Sequence, residues 1–300
     1  MKHNAFYKLR RKLQIAAYNL TTPEFVSKIY FKKVLGYKLN LKNPQTFNEK
    51  AQWLKLYEWP NNPIAIQCAS KYNVRQYVEE KGCGKYLNEL LFVCDRVEDI
   101  DWNNLPQQFV LKCTHGCGYN IICNDKSNAD KAKIFKKLRK WLKEDFGKFN
   151  AEPHYSKIKP QIVCDRFLGA NIANYNIFCC NGEPEFISVI EGLGAGVDEA
   201  LTYYYADGQV APFKSKAYPI SDKGLPSCIE EMKEVARILA GDLPFVRIDF
   251  YLVEGNIYLS EMTFTPGGCL IPFNPIEYDK ELGEKLDISK YMNKEKKHEK

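Results

Sequence analysis

The chain has 300 residues, 45% of them hydrophobic and 27% charged, an ordinary globular composition with material for one large or two smaller domains. A net charge of +6 suits phosphate or acidic-sugar ligands and gives no ground for a nucleic-acid partner. No apolar run reaches bilayer length, the basic start MKHNAFYKLRRKLQIAAYNL lacks an export signal's apolar core and cleavage site, and the 11 cysteines therefore read as reduced cytosolic thiols.

Phe6 to Leu20 has helical spacing, with Phe6, Leu9, Leu13 and Leu20 near one face and Lys8, Arg10, Arg11 and Lys12 largely off it. Two roles fit this pattern. The helix packs its apolar face inward and leaves a basic side in solvent, or it lies on a membrane surface; the first is the commoner and is preferred. Thr22 and Pro23 start a second helix, predicted to reach about Leu35 and stop at Gly36. Thr46 and Glu49 form a capping box for a helix carrying Trp53, Leu54 and Tyr57. One further helix is predicted over Ile64 to Lys81, which puts Lys71 and Arg75 on one face.

Tyr86 to Val93 and Phe109 to Cys113 read as strands, the second running into Thr114-His115-Gly116-Cys117-Gly118. A lysine fixed on a strand, here Lys112, ahead of glycines that let backbone N–H groups approach phosphate oxygens is a workable phosphate site. A plain hairpin turn is equally compatible. There is no GxxxxGK[ST], so this is not a P-loop. Cys113, His115, Cys117 and Cys123 contain no CxxC pair and do not read as a zinc site. Lys126 to Phe146 is an amphipathic helix, and Gln161 to Leu168 a strand running into a turn. Asn181-Gly182 marks a hairpin between Asn176–Cys180 and Pro184–Ile190. Gly192, Gly194 and Gly196 read as a flexible loop, Leu225 to Leu239 as a helix, and the charged stretch from Asn293 as disordered.

The richest stretch is VRIDFYLVEGNIYLSEMTFTPGG, Val246 to Gly268. Two apolar runs flank Glu254-Gly255-Asn256, a hairpin signal. A three-residue loop sets Asp249 opposite Glu261 and puts Arg247, Asp249, Glu261 and Thr263 on one face. A two-residue loop sends the two acids to opposite faces. Opposed carboxylates about 5 Å apart repel. A shared proton, a neighbouring arginine or a divalent cation must offset that. The oxygens of Asp249, Glu261 and Thr263 suit Mg²⁺.

NPQTFNEKAQWLKLY, SKYNVRQYVEEKG, LPQQFVLKCTHGCGYN, NYNIFCCNGEPEFI and PFVRIDFYLVEGNIYLSEMTFTPGG together resemble the TupA-like ATP-grasp family, associated with teichuronopeptide and capsular-polysaccharide assembly. The resemblance implies an α+β ATP-grasp fold, two α+β subdomains with the nucleotide between them, preceded by a helical extension. On that pattern residues 1–63 are the extension, 64–160 the part with the phosphate loop, 161–292 the part with the hinge and metal hairpin, and 293–300 a tail. It further implies that Lys71 and Lys112 contact ATP phosphates, with His115, Gly116 and Gly118 closing over them. Val163, Cys164, Asp165 and Leu168 would form the adenine hinge, Asp165 near the nucleoside. Asp249, Glu261 and Thr263 would hold Mg²⁺, and Arg247 would join Lys112 as a catalytic residue.

The implied activity is carboxylate–amine ligation through an acyl phosphate, on a glycan or small molecule bearing an acid and an amine. It would run in the cytoplasm or at the inner face of the membrane, beside capsule-assembly enzymes. A sugar kinase, a glycosyltransferase-like enzyme and a catalytically degenerate nucleotide-binding scaffold are the alternatives on the same fold. The chain departs from the family pattern: Ser70 stands where an Asp is usual, Asn174-Tyr175-Asn176 where Asp-Tyr-Lys is usual, which removes one cation from the site, and Thr263 where many ATP-grasp enzymes have an Asn ligand.

Overall fold

Helices open the chain in the computed structural model, which describes residues 5–192, 199–215 and 218–298. They are α1 (Ala5–Leu20), α2 (Pro23–Leu35), α3 (Phe47–Trp53), α4 (Pro63–Ala69) and α5 (Val74–Glu80). Their ends follow the capping residues. Thr22 accepts from the Phe25 N–H at the start of α2, and Gly36 ends that helix in the left-handed region at φ 87°. Thr46 and Glu49 form the expected box on α3, which runs on as a π-helical turn over Leu54–Glu58.

Two helical expectations fail. The single helix over Ile64 to Lys81 is broken, because α4 ends at Ala69 and Ser70 is extended. The Ser70 hydroxyl accepts from the Asn73 N–H at 3.2 Å, a local turn that competes with the helical ladder. Lys71 therefore lies in a turn and shares no helix face with Arg75. Helix α1 docks by the wrong side for a helix packing its leucines. Arg11 lies 3.8 Å from the centroid of the Phe149 ring and pairs with Glu144 at 3.3 Å, while buried Gln14 donates to Asn150. Leu9 and Leu13 are left exposed.

The strands form antiparallel sheets throughout. β1 (Leu90–Cys94), β2 (Phe109–Cys113), β3 (Asn120–Cys123) and β4 (Ile162–Arg166) pair in the order β1-β4-β2-β3. Helix α6 (Lys131–Leu142) buries Leu138 and Trp141 beside this smaller sheet. β5 (Asn174–Cys180), β6 (Glu183–Glu191), β7 (Ala200–Tyr205), β9 (Phe245–Val253) and β10 (Asn256–Thr263) form the larger one, in the order β10-β9-β5-β6-β7. β8 (Lys214–Ser215) pairs with β11 (Phe273–Asn274).

Alternation along the larger sheet separates its two faces. Val246, Ile248, Phe250, Ile177 and Ile187 share one face and are fully buried, and α7 (Ile229–Ala240) packs on β5, β6 and β9. The other face carries Phe178, Phe186 and Phe245, which close edge-on around Phe47 of α3. The polar side chains of the site share that face. After α8 (Glu277–Lys285), Asn293 to His298 of the stretch expected to be disordered continue α9 (Ser289–His298), and residues 299–300 lie outside the described residues. Gly194 and Gly196 lie outside the described residues.

His154 is fully buried and neither ring nitrogen has a hydrogen-bond partner. Burial, with the nearby Lys55 charge adding to it, pushes its imidazole down to about 3. A depressed histidine contributes stability that is complete above its unfolded value near 6.5 and lost as pH falls toward 3. By pH 4 the expected loss is about 3 kcal/mol. Thermal melts from pH 7 to pH 4 should therefore fall more steeply for the wild type than for His154→Leu. Parallel curves would show that this ring is not what acid acts on.

Candidate active site

The β9–β10 hairpin turns at Glu254-Gly255, with φ of 51° and 80°, so that Asn256 pairs with Val253. This is the two-residue loop that should have parted the two acids. A bulge between Leu259 and Glu261 inserts one residue and restores the register, so Glu261 does face Asp249 and Thr263 faces Arg247. The outcome is the expected one, reached by a different path.

These four side chains form one connected cluster. The Arg247 guanidinium donates to both oxygens of Asp249, at 2.7 and 2.5 Å, and to the Thr263 hydroxyl at 3.4 Å. Thr263 donates to Glu261 at 2.9 Å, and Arg247 lies 3.6 Å from the same carboxylate. Burial pushes the Asp249 carboxyl up to about 7, with Glu261 adding to the rise and Arg247 opposing it. Burial works against the charge of Glu261 too, but Lys71 and Arg247 hold that carboxyl below its usual range. An arginine clamp thus holds the two acids together, one of the three devices that can offset their repulsion.

The phosphate-loop candidates converge on this cluster. The Lys71 ammonium donates to the Gly116 carbonyl at 2.7 Å and lies 3.9 Å from Glu261, joining the loop to the hairpin. Gly116 is glycine for want of room, since a Cβ there would sit 2.7 Å from the Phe146 ring. Gly118 is glycine for its backbone, with φ at +72°. His115 is turned away. Its Nε2 bonds the carbonyls of Trp141 and Glu144 at 3.1 and 3.2 Å, and burial pushes the imidazole below its ordinary range. The imidazole thus anchors the loop to the end of α6, and only the backbone N–H is left to meet a phosphate.

Lys112 pairs with Asp165 at 2.7 Å, and Asp165, Tyr251 and Glu261 raise its ammonium above the usual lysine range against the opposing effect of burial. The register sets Lys112 opposite Val163 and Val110 opposite Asp165, so these four share the cleft face of the small sheet. Cys164 points to the other face with Leu111, both fully buried, and its side chain cannot reach the cleft. Leu168 follows β4 and is partly buried. A separate hollow at the opposite end of this sheet, lined by Glu89, Leu91, Gln108, Asp125 and Arg166, contains none of the expected lysines or hairpin acids.

The site also holds a residue that the sequence marked only as a departure. Asn176 stands opposite Asp249, is 2% exposed, donates to Ser188 at 3.2 Å and leaves its carbonyl oxygen unpartnered. The pairing of β5 with β9 joins segments some 70 residues apart, and no local signal encodes it.

Among the described residues no three His, Cys, Asp or Glu side chains converge as a metal site. Mg²⁺ asks for less, one or two carboxylates with nucleotide phosphates completing the shell. Asp249, Glu261 and Thr263, three hard-oxygen side chains in one hydrogen-bonded group, fit that requirement. They would hold the ion.

The chain is similar to D-alanine–D-alanine ligase from Bacillus anthracis (13% identity, TM-score 0.43, covering 67% of this chain and 58% of that one). It is similar also to L-amino acid ligase from Bacillus licheniformis (15%, 0.44, 69% and 45%) and to the Helicobacter pylori D-alanine–D-alanine ligase (16%, 0.43, 76% and 62%). It thus spans about half to three fifths of the length of those enzymes. No curated protein matches it in sequence. The α+β architecture is that of an ATP-grasp protein. The model of the TupA-like ATP-grasp family matches residues 49–287, and the chain belongs to that family.

Proposed function

We propose that this protein is an ATP-dependent carboxylate–amine ligase acting on a cell-surface or capsular polysaccharide precursor. The observation that carries the reading is the meeting of Lys71, the 116–118 loop and the Arg247–Asp249–Glu261–Thr263 cluster. In such a reaction the substrate carboxylate attacks the γ-phosphorus of ATP, ADP leaves, and an amine then displaces phosphate from the acyl phosphate to give the amide. Bound Mg²⁺ would neutralise phosphate charge. Lys71 and Lys112 would bind and orient the phosphates, and Arg247, fixed by Asp249, would stabilise the transferring phosphoryl group.

ADP release with ATP, Mg²⁺ and a panel of uronic-acid sugars and amino acids tests this. The expected result is release that requires an acid and an amine together. Release with a sugar hydroxyl alone would make the protein a kinase. A second reading, nucleotide binding without turnover, draws on Asn176, which pairs with Asp249 where the family resemblance implies a Lys. ATP binding with no ADP under any pairing would favour it.

A further inference from the structure

The charge of the chain is not spread along it. The first 36 residues hold eight lysines and arginines and one acid, whereas the remaining 264 hold 35 basic and 36 acidic residues. The whole positive excess therefore belongs to the segment containing α1 and α2. That segment lies ahead of the stretch matched by the family model, which starts at residue 49.

The same segment carries an unusual share of exposed apolar side chains. Leu9, Leu13 and Leu20 of α1 are 55%, 62% and 84% exposed, and Phe25 and Ile29 of α2 are 52% and 49% exposed. At 100° per residue, Leu9, Leu13, Ala16 and Leu20 fall within about 60° of one another, and all four are exposed. Exposed Arg10 and Lys12 flank this stripe on its two sides. The opposite face is the docked one, held by polar contacts of Arg11 and Gln14. Helix α1 is therefore amphipathic in the reverse sense, polar toward the protein and apolar toward solvent. It contains no acidic residue. On α2, Lys28, Lys32 and Lys33 are exposed around Phe25 and Ile29, and the one acid, Glu24, is neutralised by Lys28 at 2.5 Å.

We infer that α1 and α2 form a docking surface for an anionic lipid bilayer. Leucines and a phenylalanine bounded by lysine and arginine match an interface that is apolar below and negatively charged at its headgroups. Neither element suffices alone. A short apolar stripe partitions weakly, and cations alone are readily screened by salt. Together they hold the protein at the surface without spanning it, in keeping with the lack of any helix long and apolar enough to cross a membrane among the described residues.

Co-sedimentation of the full chain with sucrose-loaded vesicles tests this. One set is pure phosphatidylcholine, the other phosphatidylcholine and phosphatidylserine at about 3:1. The protein should pellet with the anionic vesicles and remain in the supernatant with the neutral ones. The double variant Leu13→Glu/Leu20→Glu should lose about tenfold or more of the partition coefficient, with its thermal midpoint unchanged because both side chains are exposed. Lys32→Glu/Lys33→Glu should weaken binding without touching the apolar stripe. Failure to pellet with either vesicle, equal binding to both, or indifference to both double variants would overturn the proposal. So would a dimer in light scattering that Leu13→Glu/Leu20→Glu dissociates while vesicle binding is absent, since the stripe would then serve a second copy of the chain.

Discussion

Glu261→Gln is expected to lower ADP formation by more than about a hundredfold while moving the thermal midpoint by no more than about 4 °C. The two effects separate because of where the carboxylate sits. About a third of its side chain is exposed, at the rim of the cluster, so its loss opens no core cavity. The amide oxygen of Gln can still accept the Thr263 hydroxyl now 2.9 Å away. The charge facing Lys71 at 3.9 Å and Arg247 at 3.6 Å is lost, and with it one of two carboxylates available to Mg²⁺. Removing that acid also relieves its repulsion of Asp249, which offsets part of what Lys71 and Arg247 forfeit. A variant with unimpaired ADP production would remove Glu261 from the metal site. One that failed to fold would mean that the cluster is a structural tie, and Thr263→Val would then be needed to test the donor set.

The hairpin shows what a sequence can and cannot carry. The pattern of β-branched and aromatic residues with one acid per strand located both strands and both acids. The turn is one residue shorter than the pattern predicts, because Glu254-Gly255 closes it alone, and the bulge beside Ser260 compensates. A bulge leaves no composition of its own, so the observed pairing arises from a shorter turn and a bulge that offset each other. Helix α1 was legible as a helix from periodicity. Which way its stripe faces depends on Phe149 and Glu144, more than 130 residues away, and periodicity cannot see them. Ser70 broke the predicted helix over Ile64 to Lys81 through a local hydroxyl bond that competes with propensity. His115 was placed in the loop correctly, but the carbonyls that capture its ring belong to α6. What differs is in each case a choice made by tertiary contact or by a local turn, while the type of each segment follows from residue chemistry.

Lys112→Met is expected to weaken binding of a non-hydrolysable ATP analogue by about ten- to a hundredfold, the ~1.5–3 kcal/mol of a charge-assisted contact to phosphate. Methionine keeps the length and the apolar stem and deletes only the ammonium. The structure adds a complication, because Lys112 pairs at 2.7 Å with Asp165, which is 9% exposed. Removing the lysine strands that carboxylate, and an unpaired buried charge destabilises the fold by itself. Weakened binding in the single variant therefore has two possible causes, a lost phosphate contact or a disturbed β2–β4 ladder. The decisive comparison is between Asp165→Asn and the double variant Lys112→Met/Asp165→Asn, in both of which no carboxylate is left unpaired. If Lys112 meets the nucleotide, calorimetric titration will show the double variant weaker than Asp165→Asn by the same one to two decades. If its only task is to neutralise Asp165, the two will bind alike. Dissociation constants within about twofold of each other, far less than the ~1.4 kcal/mol of a decade, would take Lys112 out of the nucleotide site and leave Lys71 and the 116–118 loop as its phosphate contacts.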